Sequence, residues 1–342
     1  MIACDVIVVG LGPAGASAAA TAARAGARVL AFDRRKQAGS PVQCAEFAPA
    51  LLGSSAIRAS FRQPISAMTT FVEQEAPHVA DAFRGTMIDR AAFDRALCEA
   101  AGQAGAELCF GVALESLDAE GVATLSDSRR VRARVIIGAD GPRSKVGAAI
   151  GAVNRDLLET RQFAAPLAGP SLSTDIYLSR DFPGGYAWFF PKGEVVNIGI
   201  GVAPDARSQL KTLLDALRAR FLAEGRIGAE ILGFTGGPIP VGGALPPVSA
   251  LGETTVLLAG DAAGLVNPIT GAGIPAAVVS GELAGVAAAS GAYEAYAEDL
   301  EDQFGASLRR ALARRAAMMR ALPPSPTDLR ASWIAFPEYW AA

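Results

Sequence analysis

A short apolar run over residues 4–9 ends in Gly10-Leu-Gly12-Pro13-Ala14-Gly15. This glycine pattern limits the possible fold more than anything else in the chain. In G-x-G-x-x-G spacing the first glycine permits a tight turn, the second lets a pyrophosphate approach the main chain, and the third lets the following helix pack on a sheet. A helix of small residues is predicted over 13–25, closed by Gly26, and a second strand over 28–32 runs into Asp33. Strand, turn, helix and strand make one βαβ unit. The helix N-terminus offers free N–H groups and a partial positive charge to phosphates. Asp33, at the end of the second strand, is placed to accept from ribose hydroxyls. A bound dinucleotide is expected, and the motif alone does not separate a flavin from a nicotinamide.

The rest of the chain narrows the class. Its 342 residues can build one large core or two modest ones. Apolar residues make up 51% and charged residues 19%, below the usual quarter, which suits extensive burial and an apolar ligand. A net charge of -3 gives no sign of a nucleic-acid partner. The apolar start lacks a basic flank and is interrupted by Asp5, so no signal peptide is expected. The best candidate for a membrane span, residues 275–293, carries Glu282. Cys4, Cys44, Cys98 and Cys109 show neither close pairing nor metal-ligand spacing, and His78 is the sole histidine. No metal site or histidine-based triad is expected, and a reduced, cytoplasmic setting follows.

Further along, a loop with a short helix is predicted over 36–60, weak patterning over 61–84, and a helix over 89–102 with Asp89 as its N-cap. Strands recur at 107–110, 113–117, 121–126 and 132–138. From about 160 to 250 strand patterns and Gly/Pro turns dominate, broken by one helix over 208–224. A buried strand over 254–259, a small-residue helix over 271–289, a helical region over 293–321 and an irregular tail complete the chain. The fold class is α/β: a Rossmann-like nucleotide domain (1–60, 85–160 and 250–290), interleaved with an antiparallel β-sheet substrate domain (61–84 and 161–249), followed by a C-terminal helical region (291–342).

Two later segments identify the nucleotide. The strand ending at Gly138 runs into Ala139-Asp140-Gly141-Pro142-Arg143-Ser144, and a second passes through Ala259-Gly260-Asp261-Ala262 to Asn267-Pro268-Ile269-Thr270-Gly271-Ala272-Gly273-Ile274. These resemble the Asp-Gly and Gly-Asp motifs of the p-hydroxybenzoate hydroxylase-like flavoproteins, a superfamily that includes the geranylgeranyl reductases. The resemblance implies FAD, with Asp261 on the ribityl chain and the 271–273 turn close to the isoalloxazine. The helix that begins there points a positive end at the flavin. Arg90, in Arg-Ala-Ala-Phe93-Asp94, matches a superfamily pattern that lies near the cofactor. Arg34, Cys44, Ala45 and Pro268 complete the expected cofactor contacts.

Tyr186-Ala-Trp188-Phe-Phe190-Pro191 is similar to the Tyr-x-Trp-x-Phe-Pro motif of the geranylgeranyl reductases. Alternation puts Tyr186, Trp188 and Phe190 on one strand face, an apolar wall with polar handles. Gly236-Gly-Pro-Ile239-Pro240 resembles the Ile-Pro segment of that family, and Cys44 falls where the family often carries a cysteine near the flavin. The resemblance implies hydride transfer from reduced flavin to a carbon–carbon double bond of an isoprenoid or other apolar substrate. Tyr186, Cys44, Glu46 or a water would supply the proton, and NAD(P)H or a ferredoxin-like protein the electrons. Two other readings stay open: an oxygen-using hydroxylase or halogenase, and an electron carrier to a quinone or protein partner. Arg309, Arg310, Arg314, Arg315 and Arg320 form a basic helical cluster suited to peripheral contact with an anionic membrane.

Overall fold

The computed structural model describes residues 2–49, 55–321 and 323–341. Ile2–Val9, whose second half is fully buried, pairs in parallel with Val29–Asp33 on one side and Arg130–Gly138 on the other. Thr254–Leu258 and Glu107–Phe110 extend this parallel array outward. Short antiparallel strands at Leu114–Leu117, Val122–Leu125 and Val248–Leu251 complete an eight-stranded sheet. The continuous Val/Ile runs of its central strands are what a sheet covered on both faces demands.

The small-residue helices have a packing reason. Pro13–Arg24 and Ile274–Ser290 lie so close that a methyl on Gly281 would fall 2.1 Å from the Ala14 carbonyl oxygen, and one on Gly285 2.6 Å from that of Ala18. This contact brings the segment after Gly260 against the first glycine turn, although about 250 residues of sequence separate them.

A second eight-stranded sheet runs mainly antiparallel through Leu157–Pro166, Val195–Val202, Ala187–Lys192 and Ser173–Leu178. Ala67–Val72 then joins in parallel, with His78–Ala80 at the edge. The weakly patterned stretch 61–84 therefore holds three strands, Phe61–Ile65 among them. Pairing aligns Gln162, Gly199, Trp188, Ile176, Thr70 and His78 in one row across the sheet. Residues opposite each other on paired strands share a face, so this row defines the side on which the wall stands. The other face, with Phe189, packs on the helix Leu210–Ala223.

The expected helical region resolves into Tyr293–Leu300, one π turn at Glu301–Gly305, and Ala306–Arg320. The tail is more ordered than its proline content suggests. Ser325 and Asp328 form a reciprocal capping box on Pro326–Ala331, and Pro337–Trp340 follows. The loop and short helix expected over 36–60 include residues 50–54, which lie outside the described residues; Ser55–Ser60 is helical. Among the described residues no helix is long and apolar enough to cross a membrane.

Candidate active site

Gly10 has φ +95°, and a methyl there would meet the Ala139 carbonyl oxygen at 2.4 Å, so the first glycine turn is closed against the strand end that precedes Asp140. Gly15 is equally constrained, its methyl position lying 1.8 Å from the Gly10 oxygen. Gly12 differs. Within 4 Å of its methyl position only Arg35 Nη2 is found, at 3.8 Å, and no side chain caps the helix that Pro13 begins. The N–H groups that begin this helix have no side-chain acceptor, and the Gly12 side of the turn is open, as a pyrophosphate requires.

Asp33 accepts from Leu11 N at 2.8 Å and from Arg35 through both main chain and guanidinium, with Arg35 Nη2 at 2.9 Å. Burial raises the Asp33 pKa, but these bonds and the Arg35 charge outweigh it and hold the carboxyl below its ordinary range. Arg34 is exposed; Arg35 is the arginine that lies at the glycine turn. The backbone turns after Asp33, sending the i+1 side chain to solvent and the i+2 side chain back onto the carboxylate.

Asp140 is spent on its own turn, accepting from Ser144 Oγ, Lys145 N and Val146 N, while Gly141 (φ +84°) leaves its outer side open. Asn154 ties this turn to the later motif, its Nδ2 donating to Pro142 O at 3.2 Å and Asp261 O at 2.9 Å. Gly260, with φ +60°, packs against Ala14 and Ala277. The half-buried Asp261 carboxylate receives no hydrogen bond from another described residue, and burial pushes its pKa up despite the nearby Arg90 charge. Past it, Asn267 Oδ1 accepts from Ile269 N and Thr270 N, forming the turn that carries Pro268 and Gly271. Gly273 precedes the helix beginning at Ile274, and no side chain caps it.

Arg90 Nε donates to Asp94 Oδ1 at 2.7 Å, and its guanidinium also reaches the Cys44 sulfur. Burial works against the Arg90 charge, but Asp94 and Cys44 prevail and its pKa is raised. The Cys44–Ala45 main chain hangs on the second sheet: Gln162 Nε2 donates to Cys44 O at 3.2 Å and Asn197 Nδ2 to Ala45 O at 3.3 Å. Glu46, only 5% exposed, accepts from Arg90 N at 2.9 Å, from Asn197 Nδ2 at 2.8 Å and from Lys192 Nζ. Its oxygens accept from three donors, so it ties the start of the helix Arg90–Gln103 to the second sheet.

Tyr186, Trp188 and Phe190 share one face, Trp188 and Phe190 being 7% and 8% exposed. The Trp188 ring lies directly on Gly199, where a methyl would sit 2.1 Å from the ring, and its Nε1 donates to Gln162 Oε1 at 2.8 Å. Tyr186 Oη donates to Thr270 O at 2.5 Å, which joins the wall to the 267–273 turn. Burial raises the Tyr186 pKa, so this phenol holds its proton firmly. Leu329, Trp333, Phe336 and Tyr339 of the C-terminal segment cover the wall, with the Trp333 and Tyr186 rings 4.9 Å apart, edge to face.

The basic cluster is dispersed by folding. Arg309 pairs with Glu301, Arg314 donates to Tyr339 O and Ala341 O, and Arg315 turns inward. Arg310 stays exposed, its guanidinium 5.1 Å over the Trp340 ring, and Arg320 is exposed as well.

The three motifs thus meet at one place, beside two helix N-termini without a side-chain cap, the Asp261 carboxylate and Arg90. These groups fit FAD: the Gly12 turn would hold the pyrophosphate, Asp33 with Arg35 the adenosine side, and Asp261 the ribityl hydroxyls. Arg35, Asn154, Gln162, Asn197 and Lys192 escape sequence reasoning, and Arg315 is expected only in a membrane-facing cluster, because pairing register and chain reversal, not motif spacing, set their contacts.

Comparison with known proteins agrees with this geometry. The sequence pattern described as FAD dependent oxidoreductase matches residues 5–152, and that described as geranylgeranyl reductase catalytic domain matches residues 170–237. The digeranylgeranylglycerophospholipid reductase of Methanosarcina acetivorans is 34% identical over 309 residues, covering 83% of this chain and 74% of the relative. Digeranylgeranylglycerophospholipid reductase 1 of Methanopyrus kandleri is 36% identical over 309 residues, covering 82% and 79%. A crystal structure of a geranylgeranyl bacteriochlorophyll reductase-like protein from Thermoplasma acidophilum superposes with a TM-score of 0.80 at 26% identity, covering 96% of this chain and 90% of that one. A probable FAD-dependent monooxygenase of Pseudomonas aeruginosa, PqsL, reaches 0.71 at 19% identity, covering 96% and 99%, and shares the fold alone. The chain belongs to the geranylgeranyl reductase family of FAD-dependent oxidoreductases.

Proposed function

We propose that the chain reduces a carbon–carbon double bond of an isoprenoid lipid. The observation that carries this reading is the Tyr186 bond to Thr270, which fixes an aromatic face at the edge of the cofactor turn. Bound FAD, once reduced, supplies the hydride. Segments 1–60, 85–160 and 250–290 would hold the cofactor through Gly10, Gly12, Pro13, Ala14, Gly15, Asp33, Arg35, Arg90, Gly260, Asp261, Gly271, Gly273 and Ile274. Segments 61–84 and 161–249 would hold the substrate.

Trp188 and Phe190 offer a prenyl chain an apolar surface, and Tyr186 orients it toward the 267–273 turn. The cover formed by Leu329, Trp333, Phe336 and Tyr339 must part to admit the chain, and once closed it excludes water from the reacting carbons. Glu46 and Tyr186 are committed to other partners, which leaves the Cys44 thiol, beside Arg90, as the protein group best placed to deliver a proton. Electrons would come from NAD(P)H or a ferredoxin-like protein. The exposed Arg310–Trp340 pair is the feature suited to an anionic lipid surface.

The test is product mass. Purified protein with dithionite and a geranylgeranyl lipid should yield lipid heavier by two hydrogens for each bond reduced. Unchanged lipid mass across prenyl ethers, prenyl diphosphates and free prenols would refute the assignment.

A further inference from the structure

Most enclosed cations in this protein have a carboxylate: Arg35 has Asp33, Arg90 has Asp94, and Lys192 has Glu46. Arg315 has none within ion-pair distance among the described residues. It extends inward from the helix Ala306–Arg320, and Nη1 donates to Gly184 O at 2.7 Å and lies 3.5 Å from Pro268 O. Gly184 opens the turn that leads into the aromatic wall, and Pro268 belongs to the cofactor turn. Enclosure lowers the Arg315 pKa, and the exposed Asp156 is the carboxylate whose field opposes that shift. Arginine stays charged even so, and an enclosed charge without a counter-ion is costly. Its position between wall and cofactor turn calls for a negative charge that arrives with the reaction.

We propose that Arg315 sets the reducing power of the bound flavin: its charge, held at the Pro268 carbonyl, stabilises the negative charge that reduction places on the ring. Two electrons and one proton added to the flavin leave one negative charge, so a fixed cation beside the ring favours the reduced form. This rests on the reading that the 267–273 turn lies against the isoalloxazine. A substrate phosphate is less suited to the position, because Arg315 faces inward while the exposed cation of that helix is Arg310.

The experiment is the two-electron midpoint potential of the FAD-loaded protein, equilibrated with a reference dye. Arg315→Gln keeps an N–H donor for Gly184 but deletes the charge, and should make reduction about tenfold less favourable, ~30 mV lower for a two-electron couple. Arg315→Lys should restore most of the difference, which a purely structural clamp would not do. Asp156→Asn, at an exposed position, should move the potential the other way. Unchanged potentials in both Arg315→Gln and Asp156→Asn would overturn the proposal. If Arg315→Gln fails to fold or to keep FAD, Asp156→Asn decides alone: an upward shift supports the proposal and no shift overturns it. Wild-type protein that binds no FAD would instead refute the cofactor reading beneath it.

Discussion

Trp188 Nε1 donates to Gln162 Oε1 at 2.8 Å, and the same Gln162 side chain donates through Nε2 to the Cys44 carbonyl at 3.2 Å. One amide thus fixes both the central ring of the wall and the loop that carries the cysteine.

Gln162→Leu should therefore weaken both at once. It leaves a buried indole N–H without an acceptor, at a stability cost of about 1–3 kcal/mol. Urea denaturation measures that loss. Turnover should fall further than stability explains, and bound flavin should stay near wild type.

Trp188→Ala should sharply lower lipid turnover at an unchanged flavin-to-protein absorbance ratio. The ring sits on Gly199, in the aromatic cluster with Phe190 and Trp333. Loss of FAD along with turnover would instead make the ring a structural support of the cofactor groove.

Asp261→Asn should separate stability from cofactor binding. Burial raises the Asp261 pKa in the folded chain, so without cofactor its stability contribution is lost as pH rises from the unfolded value, near 4, through the folded one. At neutral pH the substitution should stabilise the FAD-free protein by about 1 kcal/mol and weaken FAD binding. Thermal melts with and without FAD give both numbers.

Asp33 behaves oppositely. Its folded pKa lies below the unfolded value, so the pair with Arg35 contributes fully above about pH 4 and is lost as pH falls through the folded value. Asp33→Asn should lower stability at pH 7 and flatten its decline on acidification, as measured by denaturant midpoints between pH 7 and 3.

How much of this was legible in the sequence follows from where each constraint originates. The glycine turn and the alternating Tyr186, Trp188 and Phe190 are local, and local sterics placed them correctly. Ala67–Val72 was obscured because Thr69 and Thr70 fall on opposite faces and blur its alternation, although Met68 and Val72 are buried. The Arg35 contact with Asp33 was not legible, because a strand end does not announce which way its following side chains turn. Gln162 lies 26 residues before Trp188 and meets it only through antiparallel register across Val195–Val202. Glu46 reads as an acid near the flavin, and only the folded chain shows that Lys192 and Asn197 claim its oxygens. The tail reads as irregular because its prolines mask the Ser325–Asp328 spacing that the structure shows to be a capping box.

The most direct test of the central claim is anaerobic flavin reoxidation. Protein carrying FAD, reduced with one equivalent of dithionite under strict exclusion of oxygen, is mixed with a geranylgeranyl lipid while the oxidised flavin absorbance is followed. The expected result is recovery of that absorbance, with one double bond saturated for each flavin reoxidised. A flavin that stays reduced with every prenyl lipid and recovers only when air is admitted would contradict the account and favour an oxygen-using enzyme on the same fold.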